Sequence, residues 1–242
     1  SKMPNYYLPH KYNTTKKAAV IENGVLKLTI KPGMRGSSSD KKCKCRERAE
    51  LGFRTPINGT TYYSFKFRTD GVGKSNTRDE NGDHVRTMIA QIKPKPNVGS
   101  PPIAVYLEKG GSVKCLEYEK NSADTKSKRI KESQTANSSG VGSIKISGIK
   151  NTYRVDKIKR LLGIDLKDGN WHKIEMTYKP SNTDGYCKIV IDGRTILEKS
   201  GIDNILAKKQ LYIGPRIGIY RDSLSYSQTV YYDDLTIKFT PE

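Results

Sequence analysis

Short runs of β-branched and aromatic residues recur along most of the chain, alternating with polar residues and bounded by Gly, Asn, Asp or Pro. The clearest case is GNWHKIEMTYKPSNTDGYCKIVIDGRTI (169–196), two alternating segments joined by the turn-rich PSNTDG. Period-two alternation of this kind describes strands with one buried face, and the turn chemistry between them describes a hairpin. VLKLTI (25–30), TYYSFKF (61–67), RTMIAQIK (86–93), IAVYLEK (103–109) and SVKCLEYE (112–119) read the same way. So do QLYIGPRIGIYR (210–221) and TVYYDDLTIKF (229–239), whereas only TYRVDKIKRLLGI (152–164) reads as a short helix. Many strands with almost no helix imply an all-β sandwich, jelly roll or barrel. With no internal repeat and no linker composition, one domain over 1–242 is expected. Two polar, turn-rich stretches, 69–84 and 121–143, are expected to be loops, the second a candidate wall or lid of a binding groove.

The charge balance narrows the partners. Lys and Arg number 44 against 25 Asp and Glu, a net charge of +19. Such a field attracts polyanions: nucleic acid, an anionic membrane surface or an acidic polysaccharide. The clusters KKCKCRER (41–48) and KSKRIK (126–131) lie on no amphipathic helical pattern, which argues against a membrane surface. No aromatic and basic residues interleave in an OB-like or RNA-recognition pattern, so a nucleic-acid partner is not expected. No apolar run is long enough to span a bilayer, and the start SKMPNYYLPH lacks the apolar stretch of a signal peptide.

The usual catalytic spacings are missing. There is no G-x-G-x-x-G, no Walker lysine motif, no H-E-x-x-H and no G-x-S-x-G. His10, His84 and His172 are far apart in sequence, and His172 reads as structural. Cys43 and Cys45, one residue apart, suit neither a zinc knuckle nor a mutual disulfide, and Cys115 and Cys187 read as buried thiols in strands. Two disulfides stay open if the protein works outside a cell.

Three polar stretches remain: Arg46-Glu47-Arg48-Ala49-Glu50-Leu51, Gln91-Ile92-Lys93, and the segment from Tyr212 to Arg221 with its Pro215-Arg216-Ile217-Gly218-Ile219-Tyr220 centre. In this order they resemble the R-x-E, Q-I-H and Y-x-K-x-G-x-Y strands of polysaccharide lyases with a concanavalin-like jelly roll: the alginate, glucuronan and heparin lyases. The hairpin at 171–192 is similar to the same superfamily, and the resemblance covers roughly 46 to 237. Lys93 stands in place of the motif's histidine and Arg216 in place of its lysine. A lysine-bearing site is closest in character to polysaccharide lyase family fourteen, found in algal viruses and marine molluscs.

The resemblance implies an all-β jelly roll with a concave basic groove that cleaves a polyuronate, alginate or a glucuronate-containing polymer, by β-elimination. That reaction needs donors that neutralise the uronate carboxylate, a base at C5 and an acid at the C4 oxygen. Gln91 and Arg48 are the expected neutralisers, because preorganised donors stabilise the charge that builds on the carboxylate. Lys93 and Tyr220 are the expected acid–base pair, in either assignment; a lysine base implies an alkaline optimum, since the neutral amine must be populated. Arg216, Arg46, Tyr106, Tyr118, Lys114 and Arg221 are the expected substrate-binding residues. Each also has a plainer reading: Arg48 with Glu50 as an ion pair, Gln91 and Lys93 as the solvated face of an edge strand, Tyr220 as a packing aromatic.

No cofactor is expected, although a structural calcium stays open. The expected partner is an acidic polysaccharide, met by a monomer in a secreted or cell-wall-facing setting, including a virus-borne one. A rival reading is a non-catalytic lectin-like module binding anionic polysaccharide, because the hairpin also resembles laminin-G-type domains and fold does not fix function.

Overall fold

The computed structural model describes residues 6–7, 18–70, 85–93, 100–118, 149–205 and 212–242. In chain order the strands begin with β1 (Tyr6–Tyr7), β2 (Ala19–Glu22) and β3 (Val25–Ile30), followed by the short helix α1 (Ser38–Cys43). Next come β4 (Arg46–Phe53), β5 (Gly59–Thr69), β6 (Thr87–Ile92), β7 (Ile103–Tyr106) and β8 (Ser112–Tyr118). After β9 (Ile149–Asp156) and helix α2 (Ile158–Leu162), β10 (His172–Lys179), β11 (Gly185–Ile191) and β12 (Arg194–Ile202) form a meander. β13 (Pro215–Asp222) and β14 (Gln228–Pro241) complete the chain.

All pairings are antiparallel, in two seven-stranded sheets ordered β1-β4-β13-β6-β7-β8-β9 and β12-β11-β10-β5-β14-β3-β2. Their inner faces meet in one core: Ala49, Ile89, Ile103, Val105, Ile217 and Ile219 from the first sheet pack against Leu28, Phe65, Phe67, Ile174, Met176 and Ile189 from the second. The arrangement is the expected β-jelly-roll sandwich. A disulfide joins Cys115 of β8 to Cys187 of β11 across that core, so these residues are not the free thiols expected. A second joins Cys43 to Cys45, against the expectation from their spacing, because the left-handed turn at Lys44 brings their Cα atoms to 5.1 Å.

The segment expected as a helix over 152–164 divides. Its first half continues β9, because Tyr153 and Val155 alternate onto the core and pair with Cys115 and Val113; only 158–162 is helical. The stretches 71–84 and 119–148, with the expected lid, lie outside the described residues, as do His10 and His84.

One irregularity sets the face that matters. Arg216 lies opposite Gln91 and Ile217 opposite Ala90, but the next partners are Tyr220 and Met88. The bulge lets Ile89 and Ala90 both join the core while Met88 and Gln91 lie with residues outside it. Gly218 makes this fit: it adopts φ +135°, and a Cβ there would lie 2.2 Å from the Ala49 carbonyl oxygen. The Tyr232 hydroxyl reaches across from β14, accepting from the Gly218 N–H at 3.1 Å and lying 2.9 Å from the Ile89 carbonyl. The second sheet thus pins the bulge that orients Tyr220.

Candidate active site

The strand registers place a continuous set of polar residues on the outer face of the first sheet. One lane runs Arg48–Tyr220–Met88–Tyr106–Ser112, and a parallel one runs Arg216–Gln91–Ala104–Lys114–Arg154. Residues two apart on a strand share a face, so Arg46 and Glu50 accompany Arg48. β6 is the central strand of its sheet and Gln91 is buried, which removes the edge-strand reading. Lys93, just beyond β6, is half-buried and exchanges two backbone hydrogen bonds with Gly214.

Tyr220 sits in a nest of arginines. Arg46 donates to its hydroxyl at 2.9 Å, the Arg48 guanidinium lies 3.7 Å from its ring centroid, and that of Arg86 lies at 5.0 Å. Carboxylates hold these cations in place. Asp40, a buried residue of α1, accepts from Arg48 Nε and Nη2 at 2.8 and 2.9 Å, and Asp222 takes Arg86 at 2.8 Å. Glu50 faces Arg48 at 3.7 Å and Arg216 at 3.6 Å, and it accepts a hydrogen bond from the Gln91 amide. Arg48 with Glu50 is therefore an ion pair, as the plainer reading had it, but one built into the wall beside Tyr220. Gln91 commits one amide hydrogen to Glu50, and its NH2 group carries a second.

The other end of the face centres on Lys114. Its ammonium lies 5.6 Å from the Tyr106 ring centroid, on the same ring that Arg154 approaches at 5.4 Å. Burial, followed by the charges of Arg154, Arg86 and Lys93, pushes the Lys114 ammonium down to about 8, against the opposing pull of Glu108. Glu108 in turn ties Arg154 at 3.4 Å and accepts from the Thr87 N–H at 3.2 Å.

Two expected substrate-binding residues are elsewhere. Arg221 follows Tyr220 directly and so points to the opposite face, where it is fully buried against Glu47 at 2.7 Å and donates to the Tyr226 carbonyl. It is a core ion pair and cannot reach a ligand on the outer face. Tyr118 follows a register shift at Glu117; it is 2% exposed, donates to the Ser100 carbonyl at 3.2 Å and lies near Asp203 and Tyr178. Its role is packing. Asp40, Arg86, Glu108, Arg154 and Asp222 were not singled out from the sequence. The period-two pattern through N-T-Y-R-V-D was the available signal for Arg154, which the helical reading concealed.

His172 is structural as expected, held between Asp192 at 2.7 Å and Asp168 at 3.1 Å. A shallow cavity of about 220 Å³ lined by Lys66, Trp171, Lys173, Asp192 and Asp233 opens on the second sheet. Its two lysines are balanced by two aspartates, so it lacks the basic character of the Tyr220 face. Among the described residues, no group of three or more His, Cys, Asp or Glu could hold a metal ion.

Known proteins resemble this chain in fold and in family. An endo-β-1,4-glucuronan lyase from the fungus Trichoderma reesei superposes with a TM-score of 0.56 at 16% identity, covering 98% of this chain and 95% of its own. Alginate lyase A1-II', a member of polysaccharide lyase family 7, does so with a TM-score of 0.54 at 14% identity over 93% and 85%. Alginate lyase AlyC3, solved in complex with dimannuronate, gives 0.54 at 14% identity over 90% and 75%. At such identities the likeness is one of fold. No curated protein sequence matches significantly. The family model described as polysaccharide lyase, however, matches residues 3–236 and so takes in both the jelly roll and its arginine-lined outer face: the chain belongs to the polysaccharide lyases.

Proposed function

We propose that the chain cleaves an acidic polyuronate, alginate or a glucuronate-containing polymer, by β-elimination on the outer face of the first sheet. The observation that carries this reading is the nest of Arg46, Arg48 and Arg86 around Tyr220, one strand away from Gln91. Fixed cations beside a hydroxyl suit a reaction in which negative charge builds on a uronate carboxylate. In the elimination, a base removes the C5 proton, its electron pair forms the C4=C5 double bond, and the C4–O bond breaks with a proton delivered to the leaving oxygen. Lys93 and Tyr220 supply the base and the acid. Gln91 and Arg48 face the carboxylate, Arg46, Tyr106 and Lys114 line the sugar-binding face, and Arg216, fully buried beside Glu50, backs it. Two disulfides are in keeping with a secreted protein.

The test is ultraviolet absorbance of the unsaturated uronate on incubation with alginate, glucuronan and heparin from neutral to alkaline pH. A rise on a polyuronate is expected, and Lys93→Ala should abolish it while leaving the circular dichroism spectrum intact. Binding with no absorbance change on any of the three would replace the lyase with the lectin-like module. Retained turnover in Lys93→Ala would move the base to another residue.

Lys114 gives a separate pH signature. Its charge is lost as pH rises through about 8, so KM should climb from neutral pH into the alkaline range. In Lys114→Arg the guanidinium stays charged, and KM should remain flat over the same range. A KM that climbs equally in both proteins would take Lys114 out of substrate binding.

A further inference from the structure

The two disulfides differ in almost every respect. Cys115–Cys187 is buried and joins residues 72 apart in sequence. Cys43–Cys45 spans a single residue, Lys44, with 5.1 Å between Cα atoms, and all three residues are exposed. A reductant in solution can therefore reach the second bond and not the first. The cations of KKCKCRER surround it, which favours approach of an anionic thiolate and stabilises the sulfur that leaves.

This exposed bond closes the turn that organises the Tyr220 face. The turn begins at Ser37, whose hydroxyl caps α1 by accepting from the Asp40 N–H at 3.2 Å. It ends at Lys44, held at φ 54°, a left-handed conformation that side chains with a Cβ disfavour. The Lys44 N–H donates back to the Asp40 carbonyl at 3.0 Å, and Cys45 is followed directly by Arg46. Asp40 is the residue whose buried carboxylate grips Arg48 by two hydrogen bonds, and Arg48 lies over the Tyr220 ring. Arg46 donates to the Tyr220 hydroxyl. Ser223, just past β13, stitches the same turn down by donating to the Lys44 and Cys45 carbonyls at 3.0 Å each. The disulfide thus lies between the anchors of both arginines.

We propose that Cys43–Cys45 is a thiol–disulfide exchange site whose oxidised form holds Arg46 and Arg48 against Tyr220, so that a small dithiol reductant lowers turnover by loosening them. In the exchange, a reductant thiolate attacks one sulfur, the Cys43–Cys45 bond breaks and a mixed disulfide forms. The second reductant thiol then attacks that mixed disulfide. The reductant leaves as its own disulfide, having passed two electrons and two protons to Cys43 and Cys45. Asp40 acts in this scheme as a positioning residue, through Arg48. The effect on turnover rests on the lyase reading; the exchange itself does not.

The folded protein is treated with dithiothreitol and alkylated, and the labelled cysteines are mapped by mass spectrometry. Label on Cys43 and Cys45 but not on Cys115 or Cys187 is expected; absence of label at the first pair, or equal label on all four, overturns the proposal. On the polyuronate that is cleaved, reduction should lower kcat by about tenfold, the scale of a small misplacement of a positioned group. Cys43→Ala/Cys45→Ala should show the same drop with no further response to reductant, reoxidation of the natural protein should restore kcat, and Asp40→Asn should lower kcat without changing the labelling. Equal kcat in the oxidised and reduced proteins overturns the coupling. If neither state turns over any polyuronate, the lyase reading falls and affinity for alginate oligosaccharide decides the coupling: weaker binding when reduced supports it, equal binding overturns it.

Discussion

Tyr220→Phe should lower kcat on the cleaved polyuronate by about a thousandfold, within the range for removing a positioned acid or base. The change deletes one oxygen and little else. The ring stays beneath the Arg48 guanidinium at 3.7 Å and within the small cluster of Met88, Ala104 and Tyr106. Arg46 loses an acceptor but retains Asp222 at 4.0 Å, and Arg86 keeps its own bond to that carboxylate. The carboxylate-facing donors are untouched, so KM should move by less than about fivefold, the pattern of an interaction made only in the transition state. Kinetics across the polyuronate series check this, with thermal unfolding as the control for folding. An unchanged kcat would take Tyr220 out of proton transfer and leave the acid and base to Lys93 and Lys114.

The outer face was legible wherever period two runs unbroken. Gln91 and Lys93 are two apart, as are Arg46 and Arg48, and spacing alone puts each pair on one side of a strand. The same rule was available against Arg221: a residue adjacent to Tyr220 on a strand cannot share its face, and Glu47, adjacent to Arg48, is the partner it finds inside. Charge suggested a basic face and register assigned the core. Tyr118 was not legible in this way, because parity with Ser112 and Lys114 points it outward and only the shift at Glu117 turns it in. Nor was Asp40, which comes to Arg48 through a six-residue helix whose sequence, SSDKKC, shows no apolar face. The bulge at Gly218 falls between these cases. A glycine inside a strand pattern marks such a place, but nothing in the sequence names Tyr232 as the residue that secures it.

That division separates what builds the fold from what builds the face. The core needs only apolar residues at alternate positions, and many sequences satisfy that. The face needs individual carboxylates brought from distant segments: Asp40 to Arg48, Asp222 to Arg86, Glu108 to Arg154. Each pair joins separate segments of the chain, so it becomes visible once the fold brings them together.

Cys115→Ala/Cys187→Ala should cost about 4 kcal/mol of stability, the loop-closure estimate for a bond closing a loop of this length. For a chain of this size that corresponds to a thermal midpoint lower by roughly 10 °C. The bond crosses the core between the two sheets, and both sulfurs are buried, so its loss both frees the unfolded chain and leaves a void between β8 and β11. Denaturant unfolding followed by circular dichroism measures it, and a change below about 1 kcal/mol would show that packing alone joins these strands. The variant should still turn over substrate at low temperature, because neither sulfur reaches the outer face, although Lys114 is the neighbour of Cys115 and KM is the parameter that would register any slack in β8. The Cys43–Cys45 bond should behave in the opposite way. Closing a loop of one residue removes little freedom from the unfolded chain, so cutting it should barely move the midpoint while kcat falls. Two disulfides in one chain would then be told apart by measurement: one sensed by heat, the other by turnover.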